Sequence, residues 1–443
     1  MILSDEQGSV AIVTAVSLFA LVAVLAFTVN SGHLYVEKNR YQNAAEEAAM
    51  AGALELCGDP VETALRVLRQ TLFGGEWPEG EAPEEWAEVG HYDKDSGEFR
   101  HVDELGEDEF ENAVRVTLSV KEQSLVPIFG GEGDMTVTAS AIAFKEPYGL
   151  LAGGEPDDDP DIETRERFPA GYPVFQDMGR MHANGDMRFT GSPDFAGDTV
   201  ATASGEVVNL PSGIEGAETV RDVRPVDWSA LRAKAETSGR VFRMSDFPKR
   251  DTGIPADQNY LEYDGNRCYA VKADGKGFAL GLREGDHSGA VYYISAEGPL
   301  EHPVEEYSIS ITGISEEYGS QITGFVVASE LPLTFDNPMV RHTLGGPGEQ
   351  MAYIYCRQAI GGSVPTLANF LHEGVIYRTE KTFTARVPAF YSAKQTTYRM
   401  RIIADRAILL YGQKSVQSAE TTLDGRFGPP CGPGILYLAS WKP

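Results

Sequence analysis

The chain has 443 residues, 42% of them hydrophobic, and a formal net charge of −29. The apolar content is enough for a sizeable core and too high for a disordered chain, and the length suits two or three domains. Residues 41–170 hold 31 acids against 9 Lys/Arg; so acidic a region repels phosphate and excludes a general nucleic-acid binder.

Residues 1–9 read as a short leader with no Lys or Arg. Residues 10–29 then run without a charge, and their only polar members are Thr14, Ser17 and Thr28. At ~1.5 Å per residue the run covers about 30 Å, the thickness of a hydrocarbon core. A secretory signal has a shorter apolar core behind a basic start, so a membrane-spanning helix is predicted over residues 10–30, with the lipid bilayer as its partner. Lys38 and Arg40 follow the span. Taken alone they would place the rest of the chain in the cytoplasm, although large domains cross largely regardless of charge.

Residues 31–148 are predicted to form a helical extension followed by an acidic α+β domain. In the string RYQNAAEEAAMAGA, residues 40–53, Ala45, Ala49 and Ala53 repeat every four residues, as do Ala44, Ala48 and Gly52. Small residues at that spacing let a second helix approach closely. The six residues are therefore a candidate helix-packing or assembly face, and the alternative is packing on the chain's own domain.

The Gln7-Gly8-Ser9 leader end, the apolar span, Gly32-His33-Leu34-Tyr35-Val36 and the Ala-rich string together resemble the N-terminal region of TadG-like pilus-assembly proteins. The resemblance implies a single-pass inner-membrane protein of a bacterial tight-adherence (Flp-type) pilus system, with its body periplasmic or extracellular. It also implies pilus-assembly or pilin-like partners met through the N-terminal helix, and permits a homo-oligomer.

Further along, Asp59 caps a predicted helix, Pro60 suits its first position, Ala64, Leu65, Leu68 and Leu72 give it an apolar face, and Gly74-Gly75 end it. Asp93 to Gly97 sit between two strand-like segments as a hairpin turn; read instead as a calcium loop they lack the oxygen ligand needed at the fifth position, which is Gly97. Residues 114–120 and 135–143 alternate like half-buried strands, and this helix-then-strands order extends the resemblance. Residues 149–171, dominated by Pro, Gly and Asp, read as an acidic linker.

Residues 172–443 read as short strands and turns, with one helix near residues 226–235. Four segments end a brief apolar run in small residues and an acid: Glu297, Glu330, Glu380 and Asp405. This pattern predicts a parallel β-helix or solenoid, with a β-sandwich as the alternative. The acids are read as corner positions rather than a catalytic pair, and Tyr292, Tyr293, Tyr353, Tyr355 and Tyr377 as strand filling rather than a sugar ladder.

Cys57, Cys268, Cys356 and Cys431 include no C-x-x-C pair. They are candidate disulfide cysteines, with three full pairings open. Nucleophile-elbow, Walker A, H-E-x-x-H and D-x-S-x-S motifs are absent from the sequence. The expected molecule is mainly β with an α+β part. It has no catalytic residues, no metal and no cofactor, and acts as a non-catalytic assembly protein. The alternative is a surface carbohydrate-binding or polysaccharide-cleaving β-helix protein.

Overall fold

The structure is a computed structural model of the full chain. It describes all residues except 1–4, 78–82, 95, 107–108, 124–133, 155–160, 166–173, 177, 179, 190–193, 197–198, 209–224, 239, 248–259, 271–274, 315–319, 335–341, 347–349, 362–369, 388–395, 413–420, 425–433 and 440–443. Contacts divide the chain into two units: Met1–Leu105, Glu111–Lys145 and Leu436–Pro443 form the first, and Gly106–Phe110 and Glu146–Ile435 the second.

The first unit begins with α1 (Asp5–Leu54), one uninterrupted helix that includes the expected span and the Ala-rich string. Its partner α2 (Pro60–Phe73) starts as the sequence dictates: the Asp59 carboxylate accepts the Glu62 N–H at 2.9 Å, and Gly74 closes the helix in the left-handed conformation at φ 64°. Ala64, Leu68 and Leu72 of α2 are buried, with Leu65 packed beside them.

The two helices share a core with an antiparallel sheet of β1 (Ala87–Asp93), β2 (Glu98–His101), β3 (Ala113–Gln123) and the first part of β4 (Asp134–Ala152). The β1–β2 turn is the expected hairpin, with Asp93 opposite Glu98 and Gly97 at φ 73°. The strand Gly434–Leu438 also pairs with β4, and the Ala439 N–H donates to the Ile142 carbonyl.

In the second unit successive strands alternate between two mainly parallel sheets. In stacking order, the first sheet holds Val241–Arg243, Gly285–Ser295, Gln321–Ser329, Ala352–Cys356, Phe370–Thr379, Thr396–Ala404, the end of β4, Arg180–Ala183 and Val200–Ala203. One inward column shows what this register achieves: Tyr292, Val327, Ile354, Tyr377, Ile402, Leu150, Met181 and Ala201 fall on successive strands, and all are buried.

The second sheet has the matching order. Gly277–Leu282, Ser308–Gly313 and Leu333–Thr334 are followed by a bridge at Ile360, then Phe383–Val387, Ile408–Gly412, Ile162–Arg165, Met187–Arg188 and Val207–Val208. Helix α3 (Trp228–Ser238) covers the outer face of the first sheet, where Trp228 and Ala235 pack on Val291, Tyr293 and Ala328. This parallel pairing is not that of an antiparallel sandwich.

Two sequence expectations need correction. Residues 149–171 are not a simple linker. Leu150, Leu151 and Ala152 are fully buried beside Ile402–Ala404. Asp161 is 4% exposed, with Oδ2 accepting the Gly185 N–H at 2.6 Å, and Ile162 opens a strand. Apolar side chains on both flanks draw the segment into the stack, while its acidic centre, residues 155–160, lies outside the described residues. The division between units accordingly falls inside β4, at Lys145/Glu146, and Leu436–Pro443 belongs with the first unit rather than with residues 172–443.

Candidate functional site

Helix α1 carries two kinds of surface. Between residues 12 and 29 the large apolar side chains face outward: Ile12, Val16, Phe19, Val22, Leu25 and Phe27 are between 55% and 66% exposed. The helix is long and apolar enough to cross a membrane. Ala26 within this stretch and Asn30 just after it are buried.

From residue 41 the surroundings reverse. Ala44, Ala45, Ala48, Ala49 and Ala53 have no exposed surface and lie in the core with Leu68 of α2 and Val114 and Val116 of β3. A Cβ on Gly52 would stand 2.8 Å from the Pro60 carbonyl oxygen and 3.1 Å from Ala64 Cβ and Val114 Cγ1. The small residues exist to let α2 and the sheet approach. Of the two readings of this face, packing on the chain's own domain is the one these contacts describe: the positions lie inside the first unit. Polar contacts fix the same segment. Tyr41 donates to the Glu122 carboxylate, Gln42 donates to the Ser140 carbonyl at 3.0 Å, and Arg40 donates to the Leu72 carbonyl at 3.0 Å. Burial, followed by the Glu122 bond, pushes the Tyr41 phenol well above its ordinary value.

The cysteines divide. Cys57, just past α1, is disulfide-bonded. Cys268 and Cys356 are free and buried in the second unit, and burial pushes both thiols up to about 12, where they are unreactive. Cys431 lies outside the described residues.

The corner acids do recur at one place in the stack. The backbone N–H groups of Glu330, Arg357, Glu380 and Asp405 each donate to the strand before, at 2.9–3.0 Å. Arg357 fills a rung that the acid pattern passed over. It pairs with Glu330 at 3.2 Å and with Glu380 at 4.0 Å, and its guanidinium lies 4.8 Å over the Trp228 ring. Glu330 also accepts the Tyr293 hydroxyl at 2.7 Å, Glu380 accepts the Trp228 indole N–H at 2.5 Å, Asp405 pairs with Arg378 at 2.5 Å and Glu297 pairs with Arg232. Every one of these carboxylates is engaged in a charge ladder or a helix clasp. Tyr292, Tyr293 and Tyr377 are buried at 1% exposure or less and fill strands, and Tyr353 and Tyr355 stack on each other at 6.3 Å.

Among the described residues no group of three or more His, Cys, Asp or Glu side chains is placed to hold a metal. One pocket of about 180 Å³ lies on the second unit, lined by Glu305, Tyr307, Ser308, Pro332, Leu333, Thr334, Gln358, Ala359 and Lys381. Of these residues, Thr334 Oγ1 and Gln358 Oε1 are sealed behind the lining and lack a hydrogen-bond partner among the described residues. No sequence signal marked this site, because its walls come from four separate returns of the chain.

Comparison with known families matches residues 8–55 to a family described as putative Flp pilus-assembly TadE/G-like. Comparison with curated proteins and with solved structures gives no match. The matched segment coincides with α1, so it is the N-terminal region of this chain that is similar to TadE/G-like pilus-assembly proteins.

Proposed function

We propose that this chain is a non-catalytic structural or assembly protein of a Flp-type, tight-adherence pilus system, held in a bacterial inner membrane by the first part of α1, with both folded units on the periplasmic or extracellular side. The observation that carries the reading is the coincidence of the TadE/G-like match with a helix whose first part presents a continuous apolar surface. In water that surface would be a liability; in lipid it is the anchor.

The Cys57 disulfide supports export, since such bonds persist in oxidising compartments and are rare in the cytosol. It outweighs the inward vote of Lys38 and Arg40. Because the Ala face is buried, contact with pilus-assembly or pilin-like partners falls to the lipid-facing positions of residues 12–29 or to the surfaces of the units. The parallel, rung-by-rung pairing of the second unit supports reading it as a β-solenoid, a stiff body suited to display rather than to turnover.

Deleting the gene and counting surface pili tests this. Loss of pili and of tight adherence, restored by the full chain and not by a chain lacking residues 1–30, supports the proposal. Normal piliation and adherence in the deletion strain overturn it.

A further inference from the structure

The covered side of α1 does not end at the alanines of the first unit. It continues through Leu34, which packs against the core of that unit, to Asn30 and Ala26, 3% and 8% exposed. Residues 26, 30 and 34 are four apart and share one side of the helix. Ala26 belongs to the uncharged run, about 4.5 Å of helix short of its end at Val29. Its neighbours Leu25 and Phe27 are 56% and 66% exposed. One side of the span, at the end next to the first unit, is therefore covered by the chain itself.

The first unit sends one pair of strands that way. A Cβ on Gly52 would stand 3.1 Å from Val114 Cγ1, and eight residues along β3 Glu122 accepts the Tyr41 hydroxyl. β3 thus runs along α1 toward the span, and β4 returns from there, with Gln123 opposite Asp134. Tyr41 to Asn30 is about 16 Å of helix, and five residues past Gln123 cover about the same distance as strand. Residues 124–133 lie outside the described residues; their sequence is Ser-Leu-Val-Pro-Ile-Phe-Gly-Gly-Glu-Gly, with five apolar residues in a row.

Other segments fit less well. The four residues after Ala439 start beside Ile142, opposite Arg115, and reach about 14 Å, short even of the level of Glu122. Residues 78–82 hold two Glu and no large apolar side chain.

We propose that the β3–β4 connection, residues 124–133, is a second membrane contact of this chain. It packs on the Ala26–Asn30 side of α1 and puts Leu125 to Phe129 into lipid. The proposal rests on α1 spanning the membrane. The headgroup layer is about 5–7 Å thick on each side, so residues 30–33 of α1 stand in it. There the backbone of a turn keeps polar surroundings while its apolar side chains reach hydrocarbon; irregular backbone exposed to lipid at greater depth is not tolerated. The same end of the unit carries an aromatic cluster. Arg40 donates to the Leu72 carbonyl at 3.0 Å, and the rings of Phe73, Trp77 and Trp86 follow at 5.6–6.2 Å from one another. Tryptophan suits the headgroup level.

The test is fluorescence quenching on the full chain in phosphatidylcholine–phosphatidylglycerol vesicles. An NBD fluorophore on Ile128→Cys reads the connection, and one on Ala20→Cys reads the span. One on Ser96→Cys reads the β1–β2 turn, at the opposite end of the sheet because β1 runs from Val89, opposite Val114, away from Glu122. The parent chain, treated alike, is the blank, and Leu125→Cys repeats the reading if Ile128→Cys fails to fold. The expected result is blue-shifted emission at 128 and 20, lost to nitroxide-bearing lipids, with emission at 96 lost only to aqueous iodide. A label at 128 that behaves like that at 96 overturns the proposal and leaves the anchor standing. A label at 128 shielded from both quenchers means that protein covers the connection, and overturns it equally. Absence of lipid quenching at both 20 and 128 removes the anchor, and the proposal with it.

Discussion

Residues 12–29 and residues 41–53 belong to one helix with one backbone geometry, yet their side chains solve opposite problems. The first stretch carries large apolar groups outward on every side. The second carries alanines that disappear into a core with α2 and β3. Large apolar residues all around a helix leave no polar face for water, so the surroundings must be apolar. Small residues in two adjacent rows instead bring other backbones close, and here those backbones belong to the same chain. A stripe of small residues therefore says that something packs closely, not whether it is a partner.

The contrast can be broken most forcefully at its ends. Cys57 closes the buried stretch, and Cys57→Ser should lower the stability of the first unit by about 2–5 kcal/mol, read as a fall in its thermal midpoint that reductant reproduces in the parent. An unchanged midpoint in both would remove the staple from the account. In the exposed stretch, Leu21→Arg should cost about 2.5–3.5 kcal/mol of membrane insertion and release the chain in carbonate extraction, while the folded units keep their circular dichroism. Retention in the membrane pellet would show that residues 12–29 are not the anchor.

A matched pair sharpens the comparison further. Ala49→Leu forces a larger side chain into a filled core and should destabilise the first unit by about 1–3 kcal/mol. Ala20→Leu, at an exposed position of the same helix, should leave stability unchanged and retain membrane insertion. Equal effects would erase the distinction between the two stretches.

The smallest expected effect is on pH. Burial holds the imidazoles of His182 and His287, both in the second unit, below their ordinary value. The unfolded chain then binds more protons than the folded one, so this contribution is complete above about pH 6.5 and is lost as the pH falls toward the depressed folded values. Residues 41–53 contain no histidine. Mild acid should therefore loosen the second unit first, and His287→Asn should blunt its acid sensitivity. Hydrogen exchange at pH 7 and pH 5 separates the units, and equal loosening of both would contradict the assignment.

Much of the first unit was legible because its signals are local: the Asp59 cap, the Gly74 stop, the hairpin after Asp93 and the alternation in β3 each depend on a few neighbouring residues. The second unit was legible in character but not in order. Small residues before a corner acid marked the ends of strands, yet Arg357 in place of an acid hid one rung. Nothing local tells Ile402 to stack on Leu150, since that register is set by burial of whole columns across distant parts of the chain. The supposed linker failed for the same reason: its Pro, Gly and Asp content hid Leu150, Leu151 and Ile162, whose partners come from residues 402–410. The pocket was invisible because a cavity is a property of packing, not of composition.

The central claim is that α1 holds the chain in a membrane with both units outside the cytoplasm. Protease treatment of intact spheroplasts, with a tag placed after residue 443, tests it most directly. The account predicts that the tag is digested without lysis. Protection until the cells are lysed would place the units in the cytoplasm and contradict it.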